Sequence, residues 1–251
     1  MSVALQRVTV RMLYDPPFVE RIYAGFCPPE IDAAQRALLV SIDRRAWATD
    51  PHRRARALTA LLEETPASAA LAGVSRLDAF FSSSAFHAAI QERRGLAASF
   101  ATWLEPLAGP VARLELAVIE ARRDPPVTPA PGRIVRAAGL RTLSLPEGTL
   151  ALYQGLRERL GSDPLGALAR GLHLGPPPAL TGEEHLLIER DAAGDPQISE
   201  IPEALAGLLG AASAPITRAA LLARARELGA DPGDDAEIVD GLVTDGLLVA
   251  G

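Results

Sequence analysis

The proline-rich segment 124–132, DPPVTPAPG, constrains the fold of this chain more than any other stretch. Proline has no backbone N–H, and its ring clashes with the preceding helical turn, so a helix cannot continue through this segment. The chain has 251 residues, which is enough for two domains that each bury a hydrophobic core. We therefore predict two domains, one over residues 1–128 and one over residues 129–251.

Before this segment, apolar residues recur at helical spacing, which predicts an all-helical first domain. Asp50 followed by Pro51 is a helix-start signal, with the aspartate as N-cap, and Pro66 ends that helix. A longer helix is predicted from Phe86 to Leu104, and another over 111–123. The buried stripe of the earliest predicted helix consists of Ile31, Ala34, Leu38 and Ile42.

After this segment, the pattern changes to short strands followed by short helices. Strands are predicted near 140–145, over 185–190 and over 196–201, and a DAAGD turn joins the last two. One helix is predicted from Gly148, and three more begin at Pro202, Thr217 and Asp234. A short antiparallel sheet followed by three helices is typical of a winged-helix-like domain. The predicted fold class is therefore α+β.

Composition excludes several classes of protein. No apolar run is long enough to cross a membrane and the N-terminus lacks the apolar region of a signal peptide, which indicates a cytoplasmic protein without membrane contact. The single cysteine, Cys27, cannot form an internal disulfide. The chain contains no lysine, so it has neither a Schiff-base lysine nor a phosphate-loop lysine.

A winged-helix-like domain has two common uses, and the first is DNA recognition. The last helix would then present basic or amide side chains to bases and phosphates. Here its predicted outward face carries Glu237, Asp240, Thr244 and Asp245, and its predicted core face carries Ile238, Val239, Leu242, Val243 and Leu247. Phosphates repel such an acidic helix, and the net charge of −6 acts in the same direction, so nucleic acid is not an expected partner. A DNA-binding transcriptional regulator remains the alternative function.

The second use is capture of an extended peptide, which adds a strand to an unpaired sheet edge. The stretch 197–201 fits this requirement, with Ile198 and Ile201 as apolar contacts and Glu200 as a partner for a basic peptide residue. The alternative is that both isoleucines belong to the core and the edge is blocked. The predicted peptide-binding residues are Gln197, Ile198, Ser199, Glu200, Ile201, Glu237, Asp240, Gly241 and Thr244.

The sequence offers no catalytic or metal-binding constellation. Its histidines lie far apart, without the spacing that brings two ligands to one helix face: His52, His87, His173 and His185. We expect His87 to form a hydrogen bond with Gln91, one helical turn on, and Cys27 to be a packed thiol. No metal or cofactor is therefore expected in this chain, and we do not expect it to be an enzyme by itself.

The densest basic cluster contains Arg53, Arg54 and Arg56, with Arg44 and Arg45 just upstream. Such a cluster can dock on an acidic surface of a partner protein, although many are only solvated faces. Large apolar residues such as Phe80 and Phe81 usually belong to a core, but two adjacent residues cannot point the same way on a helix, so one of them can reach an interface. The predicted partner contact is therefore formed by Arg53, Arg54, Arg56, Phe80 and Phe81.

Two stretches of the helical half resemble a known family. They are RALLVSIDRRAWATDPHRRARALTALLEETPASAALAG over 36–73 and FFSSSAFHAAIQERRGLAASFATWLEP over 80–106. Both are similar to the C-type partner proteins of methanobactin biosynthesis. In that family a helical domain precedes a domain similar to the recognition element of ribosomally made, modified peptides.

The resemblance implies a function and a partner. Family members form a heterodimer with a TIM-barrel-like, multinuclear iron, oxygen-dependent enzyme that oxidises cysteine residues in a precursor peptide. The C-terminal domain binds the leader of that precursor. By this resemblance we expect a non-catalytic partner subunit, with iron in the partner enzyme and none in this chain.

Overall fold

The computed structural model describes residues 2–48, 50, 52–170, 179–191 and 193–251, without the side chain of Val74. Within these residues the fold is α+β with a helical N-terminal part, as the sequence predicts. The helices are α1 Val3–Tyr14, α2 Pro16–Tyr23, α3 Ala33–Val40, α4 Arg53–Glu64, α5 Pro66–Ala72, α6 Val74–Leu77, α7 Ser84–Glu92, α8 Leu96–Ala108, α9 Pro110–Arg123, α10 Thr149–Leu160, α11 Pro164–Ala169, α12 Glu203–Ala211, α13 Arg218–Glu227 and α14 Asp234–Thr244. The strands are β1 Arg133–Arg136, β2 Arg141–Leu145, β3 Glu184–Arg190, β4 Pro196–Glu200, β5 Ile216–Thr217 and β6 Leu248–Ala250. None of the described helices is long and apolar enough to span a membrane.

The chain packs as two compact units. The first consists of Met1–Arg113 and Tyr153–Pro177, and the second of Leu114–Leu152 and Pro178–Gly251. We call them the helical unit and the mixed unit, because both sheets belong to the second. The predicted domain boundary between residues 128 and 129 divides the sequence into two continuous stretches, whereas each unit combines two separate stretches. That boundary stays a prediction.

The helical unit is built from capped helices around an aromatic core. Asp15 accepts a hydrogen bond from the N–H of Phe18 at 3.3 Å, and Pro16 occupies the first turn of α2, where its missing N–H costs nothing. Between α6 and α7, a 3-10 turn over Asp78–Ser82 brings two phenylalanines into the core. The rings that meet there are Phe80, Phe81, Phe86 and Phe100.

Two expectations for the helical unit are wrong. Leu38 and Ile42 are 57 % and 38 % exposed, whereas Leu39 is buried, because α3 has only two turns and several apolar stripes fit so short a run. The helix predicted from Phe86 to Leu104 is two helices, since Arg93 adopts a left-handed conformation with φ of 56° and ends α7.

The start of α4 also differs from its prediction. The helix begins at Arg53, and the side chain of Asp50 accepts the N–H of His52 at 3.1 Å instead of capping the helix. Pro51 lies outside the described residues.

The mixed unit contains two antiparallel sheets of three strands each, in the orders β5-β1-β6 and β2-β3-β4. The predicted strands near 140–145, 185–190 and 196–201 are confirmed as β2, β3 and β4. In the second sheet Leu143 pairs with Leu186, and Ile188 pairs with Ile198. The first sheet was not predicted, because strands of two to four residues are too short for alternation to be visible.

The three predicted C-terminal helices are confirmed as α12, α13 and α14. Thr217 caps α13, because its hydroxyl accepts the N–H of Ala220 at 3.2 Å. The core of this unit joins the helices to both sheets: Ile134, Leu140, Leu187, Leu208, Leu209, Leu221, Val239, Leu242 and Leu248.

Candidate functional site

The strand β4 is an edge strand, and its hydrogen-bond register fixes which backbone groups face outward. The N–H of Ile201 donates to the carbonyl of His185 at 2.8 Å, and the N–H of Asp191 donates to the carbonyl of Asp195 at 2.8 Å. Hydrogen-bonded pairs recur every second residue along an antiparallel ladder. The N–H and C=O groups of Ile198 and Glu200 therefore point away from β3, toward the open edge.

Two prolines limit the length of this edge. Pro196 begins β4 and Pro202 follows it, and neither can donate a backbone hydrogen bond. Within the described residues, the N–H groups of Ile198 and Glu200 have no recorded hydrogen-bond partner. The edge can thus accept one short added strand, centred on these two residues, rather than a long sheet.

The side chains of β4 alternate between the two faces of the sheet. Ile198 is half-buried and Glu200 is exposed, and both lie on one face. Gln197 and Ser199 are exposed on the opposite face, where Ile201 packs against the core of the mixed unit. The sequence predicts that both Ile198 and Ile201 contact the peptide. In the structure their side chains lie on opposite faces of the sheet, because they are three residues apart on an alternating strand, so one apolar group of a peptide cannot contact both.

An acidic cavity of about 360 Å³ lies at the end of β4, and Glu200 is one of its lining residues. Glu147, Glu183 and Glu184 also line it, together with His185. The carboxylate of Glu184 is buried and accepts the N–H groups of Gly148 and Leu150 at 3.1 and 2.8 Å, at the start of α10. We call this feature the acidic cavity. The sequence contained only the adjacent pair Glu183–Glu184 as a signal, because nothing in it relates position 147 to position 200.

The predicted residues of α14 lie on a different part of the mixed unit. Glu237, Asp240 and Thr244 are exposed and Gly241 is half-buried, and the helix packs on α13 and β6. The carboxylate of Asp240 binds Arg218 through two hydrogen bonds, one of them 2.8 Å long, and these bonds lower the pKa of Asp240. The outward face of α14 is thus acidic, but Asp240 already has a basic partner.

Ile238 is 40 % exposed, so its predicted place on the core face is wrong. It lines an apolar groove of about 330 Å³ with Pro202, Leu205 and Leu228. Pro202 lies two residues after the end of β4, so the groove extends from the region just beyond the edge strand to α14. It adds apolar contacts to that of Ile198 on β4.

The predicted arginine cluster is held largely by contacts within the helical unit. Arg53 donates to the carbonyl of Leu13 at 3.1 Å. Arg54 pairs with Asp78 at 2.6 Å, and Arg56 pairs with Asp50. These guanidinium groups are therefore partly committed within the chain and less available to a partner.

Phe80 and Phe81 are both completely buried. Both residues lie in the 3-10 turn over Asp78–Ser82, and the aromatic core surrounds both of their rings. Neither ring is at the surface, so neither Phe80 nor Phe81 is placed to contact a partner protein.

The described histidines and Cys27 do not form a metal site with one another. Among the described residues, no group of three or more His, Cys, Asp or Glu side chains could hold a metal ion. His87 lies 3.5 Å from Asp15, and Gln91 donates to Glu30 instead, so the expected His87–Gln91 bond is wrong. Cys27 is exposed rather than packed. His173 lies outside the described residues.

Comparisons with known proteins give no family. No model of a protein family matches the chain, and no curated protein sequence matches it. The function must therefore be inferred from the sequence pattern and from the geometry described above.

Proposed function

We propose that this protein is a non-catalytic partner subunit that binds the leader of a ribosomally made precursor peptide by strand addition to β4. The observation that carries the proposal is the open edge, where the N–H and C=O groups of Ile198 and Glu200 face outward. A peptide strand that pairs with these groups forms main-chain hydrogen bonds whatever its amino-acid sequence. Its side chains then determine specificity.

The surroundings of β4 favour a peptide of defined chemistry. Glu200 and the acidic cavity would attract a lysine or arginine of the added strand. The apolar groove that includes Leu205 and Ile238 would take an aliphatic or aromatic side chain of the same peptide. A leader that carries both residue types within a few positions fits this surface.

The rest of the proposal follows the sequence resemblance. The partner is a TIM-barrel-like, multinuclear iron enzyme that oxidises a cysteine of the precursor in the cytoplasm, and this chain presents the peptide to it. The helical unit supplies the contact with that enzyme. The chain itself contributes no metal and no catalytic residue to the oxidation.

The proposal implies that a precursor gene and an iron-enzyme gene lie beside the gene of this chain, and the test is binding of a synthetic leader peptide of that precursor to the isolated chain. Replacement of Ile198 by Asp places a carboxylate at the centre of the edge, and we expect it to weaken leader binding about tenfold or more. Fluorescence anisotropy of a labelled leader measures the affinity. Ser213→Asp, an exposed position after α12, is the matched control and should leave the affinity unchanged.

Co-expression with the neighbouring iron-enzyme gene tests the second half of the proposal. A stable heterodimer should be recovered, and Ile198→Asp should weaken leader binding more than it weakens this heterodimer. If the wild-type chain binds no leader and forms no heterodimer, the proposal is wrong.

A further inference from the structure

The apolar groove of the mixed unit has no charged side chain in its described lining. Its walls come from α12, from the turn after α13 and from α14, and they include Leu205, Leu228 and Ile238. Its volume of about 330 Å³ lies at the lower end of the range of ligand sites, which is about 300–1,000 Å³. A groove of this size and lining suits one large apolar side chain, and the charges around it then decide what that side chain can be attached to.

The arginines around the groove are already neutralised within the chain. Residues 202–251, all of which the structure describes, contain three arginines, and each of them forms an ion pair with a carboxylate. The pairs are Arg218–Asp240, Arg224–Glu227 and Arg226–Asp235. This part of the chain therefore has no unpaired cation to offer an acidic ligand.

Three exposed carboxylates beside the groove have no such partner. Glu203 on α12, Asp231 after α13 and Glu237 on α14 each adjoin a lining residue in the chain. None of their side chains has a recorded hydrogen bond or ion pair with the described residues. Glu203 and Glu237 lie in the first turns of their helices, where the helix dipole stabilises the ionised carboxylate. The unpaired charge around the groove is thus negative on both of its walls.

This charge restricts the ligand that the groove can hold. An apolar side chain in the groove brings the neighbouring residues of its own chain close to these carboxylates, which attract arginine or lysine and repel aspartate or glutamate. The acidic cavity at the end of β4 acts in the same direction, because glutamates and one histidine line it, without an arginine among the described lining residues. Both surfaces therefore favour a basic peptide over an acidic one.

We propose that the leader is a cationic peptide that anchors in the apolar groove through one large aliphatic or aromatic residue flanked by arginine or lysine. Pairing with β4 does not depend on the amino-acid sequence of the peptide, so the groove and its three carboxylates select this leader among extended peptides. The inference rests on the proposed function, because it presumes that the leader adds to β4. It goes further by naming the charge of the leader and the source of its specificity.

Two sets of variants test the anchor. Glu203→Arg and Glu237→Arg reverse the charge beside the groove, and Asp245→Arg makes the same change at an exposed carboxylate of α14's C-terminal end that adjoins no lining residue. Ile238→Ala removes part of the apolar wall, and Val127→Ala shortens a similarly exposed side chain outside the groove. Fluorescence anisotropy of the labelled synthetic leader measures the affinity of each variant at low and at high salt.

We expect Ile238→Ala, Glu203→Arg and Glu237→Arg each to weaken leader binding at least about tenfold at low salt, and both controls to change it by less than about twofold. The difference between the charge variants and the wild-type chain should narrow at high salt, because salt screens exposed charges, whereas the loss in Ile238→Ala should persist. Thermal unfolding shows that the variants remain folded, and Glu237→Gln provides a milder variant that should give a smaller loss.

The outcomes separate this inference from the proposed function. If the leader binds the wild-type chain and Ile198→Asp weakens it, but the charge reversals or Ile238→Ala do not, the cationic anchor is wrong and the proposed function stands. If Ile238→Ala leaves leader affinity unchanged and instead weakens the heterodimer or self-association of this chain, the groove binds the iron enzyme or a second copy, and the anchor is again wrong. Absence of leader binding to the wild-type chain overturns both.

Discussion

The environment of His87 disfavours the protonated form of its imidazole. Burial of the imidazole, together with the guanidinium of Arg11, lowers the pKa of His87 to about 4, although Asp15 and Glu30 act in the opposite direction. Its Nε2 atom is buried, lies 3.5 Å from the carboxylate of Asp15 and makes no hydrogen bond in the described structure. The folded chain therefore holds this histidine in its neutral form at neutral pH.

This environment predicts a pH-dependent stability. Between pH values of about 6.5 and 4 the unfolded chain binds a proton at His87 that the folded chain does not, so the free energy of unfolding falls as the pH falls through this window. We expect the free energy of unfolding to fall by about 2 kcal/mol over this window. This is less than the loss obtained by counting about 1.36 kcal/mol for every unit of the pKa shift, because solvent reaches part of the ring. Urea denaturation at several pH values measures it.

His87→Gln should flatten this part of the stability curve, and His52→Gln, at an exposed histidine, should not. Equal pH dependence in both variants would show that the carboxylates alone cause it.

Individual side chains were the least predictable part of this chain. Ile31, Leu38 and Ile42 have helical spacing, but α3 covers only Ala33–Val40, so Ile31 and Ile42 lie outside it. Ile31 is buried, whereas Leu38 and Ile42 are exposed and Leu39 is buried instead. Ile238 was placed in the core by the same reasoning, yet it lines the apolar groove. Which apolar residue is buried depends on the neighbouring elements, and a single sequence does not contain their positions.

At the scale of elements, Glu184 joins β3 to the start of α10. Replacing it with alanine leaves the N–H groups of Gly148 and Leu150 without their acceptor, and the second of these lies on a buried residue. We expect the free energy of unfolding to fall by about 1–3 kcal/mol, which urea denaturation would measure. Glu189→Ala is the control, because Glu189 lies on the same strand and its side chain forms no hydrogen bond or ion pair with the described residues, while its backbone stays in the ladder with Gln197. An equal effect of the two variants would contradict this role of Glu184.

Elements with a strong local signal were predictable. The strands β2, β3 and β4 are five to seven residues long, the DAAGD turn separates β3 from β4, and α13 starts at the Thr217 cap. The strands β1, β5 and β6 are shorter and form through pairing between distant segments, such as Ile134 with Ala250. Register of this kind depends on tertiary packing, so local pattern could not reveal it. The acidic cavity was missed for the same reason, because it joins position 147 to position 200.

At the scale of the whole molecule, the charge distribution bears on the alternative function. The outward residues of α14 include Glu237 and Asp240, and the chain carries a net charge of −6. A helix of this kind does not neutralise phosphates. We therefore expect no saturable binding of duplex DNA at low salt, measured by fluorescence anisotropy. An affinity that falls steeply as salt increases would favour a transcriptional regulator.

The central claim is that a peptide adds a strand to the open edge of β4, and one backbone substitution tests it most directly. Glu200→Pro removes an N–H that faces the open edge and takes no part in the ladder with β3, whereas Glu200→Ala removes only the carboxylate. The measurement is the affinity of the synthetic leader for these two variants, with thermal unfolding as the check that both remain folded. The account predicts that Glu200→Pro binds at least about tenfold more weakly than Glu200→Ala, because a backbone hydrogen bond is lost and the proline ring obstructs the added strand. Equal affinities for the two variants would contradict strand addition at β4.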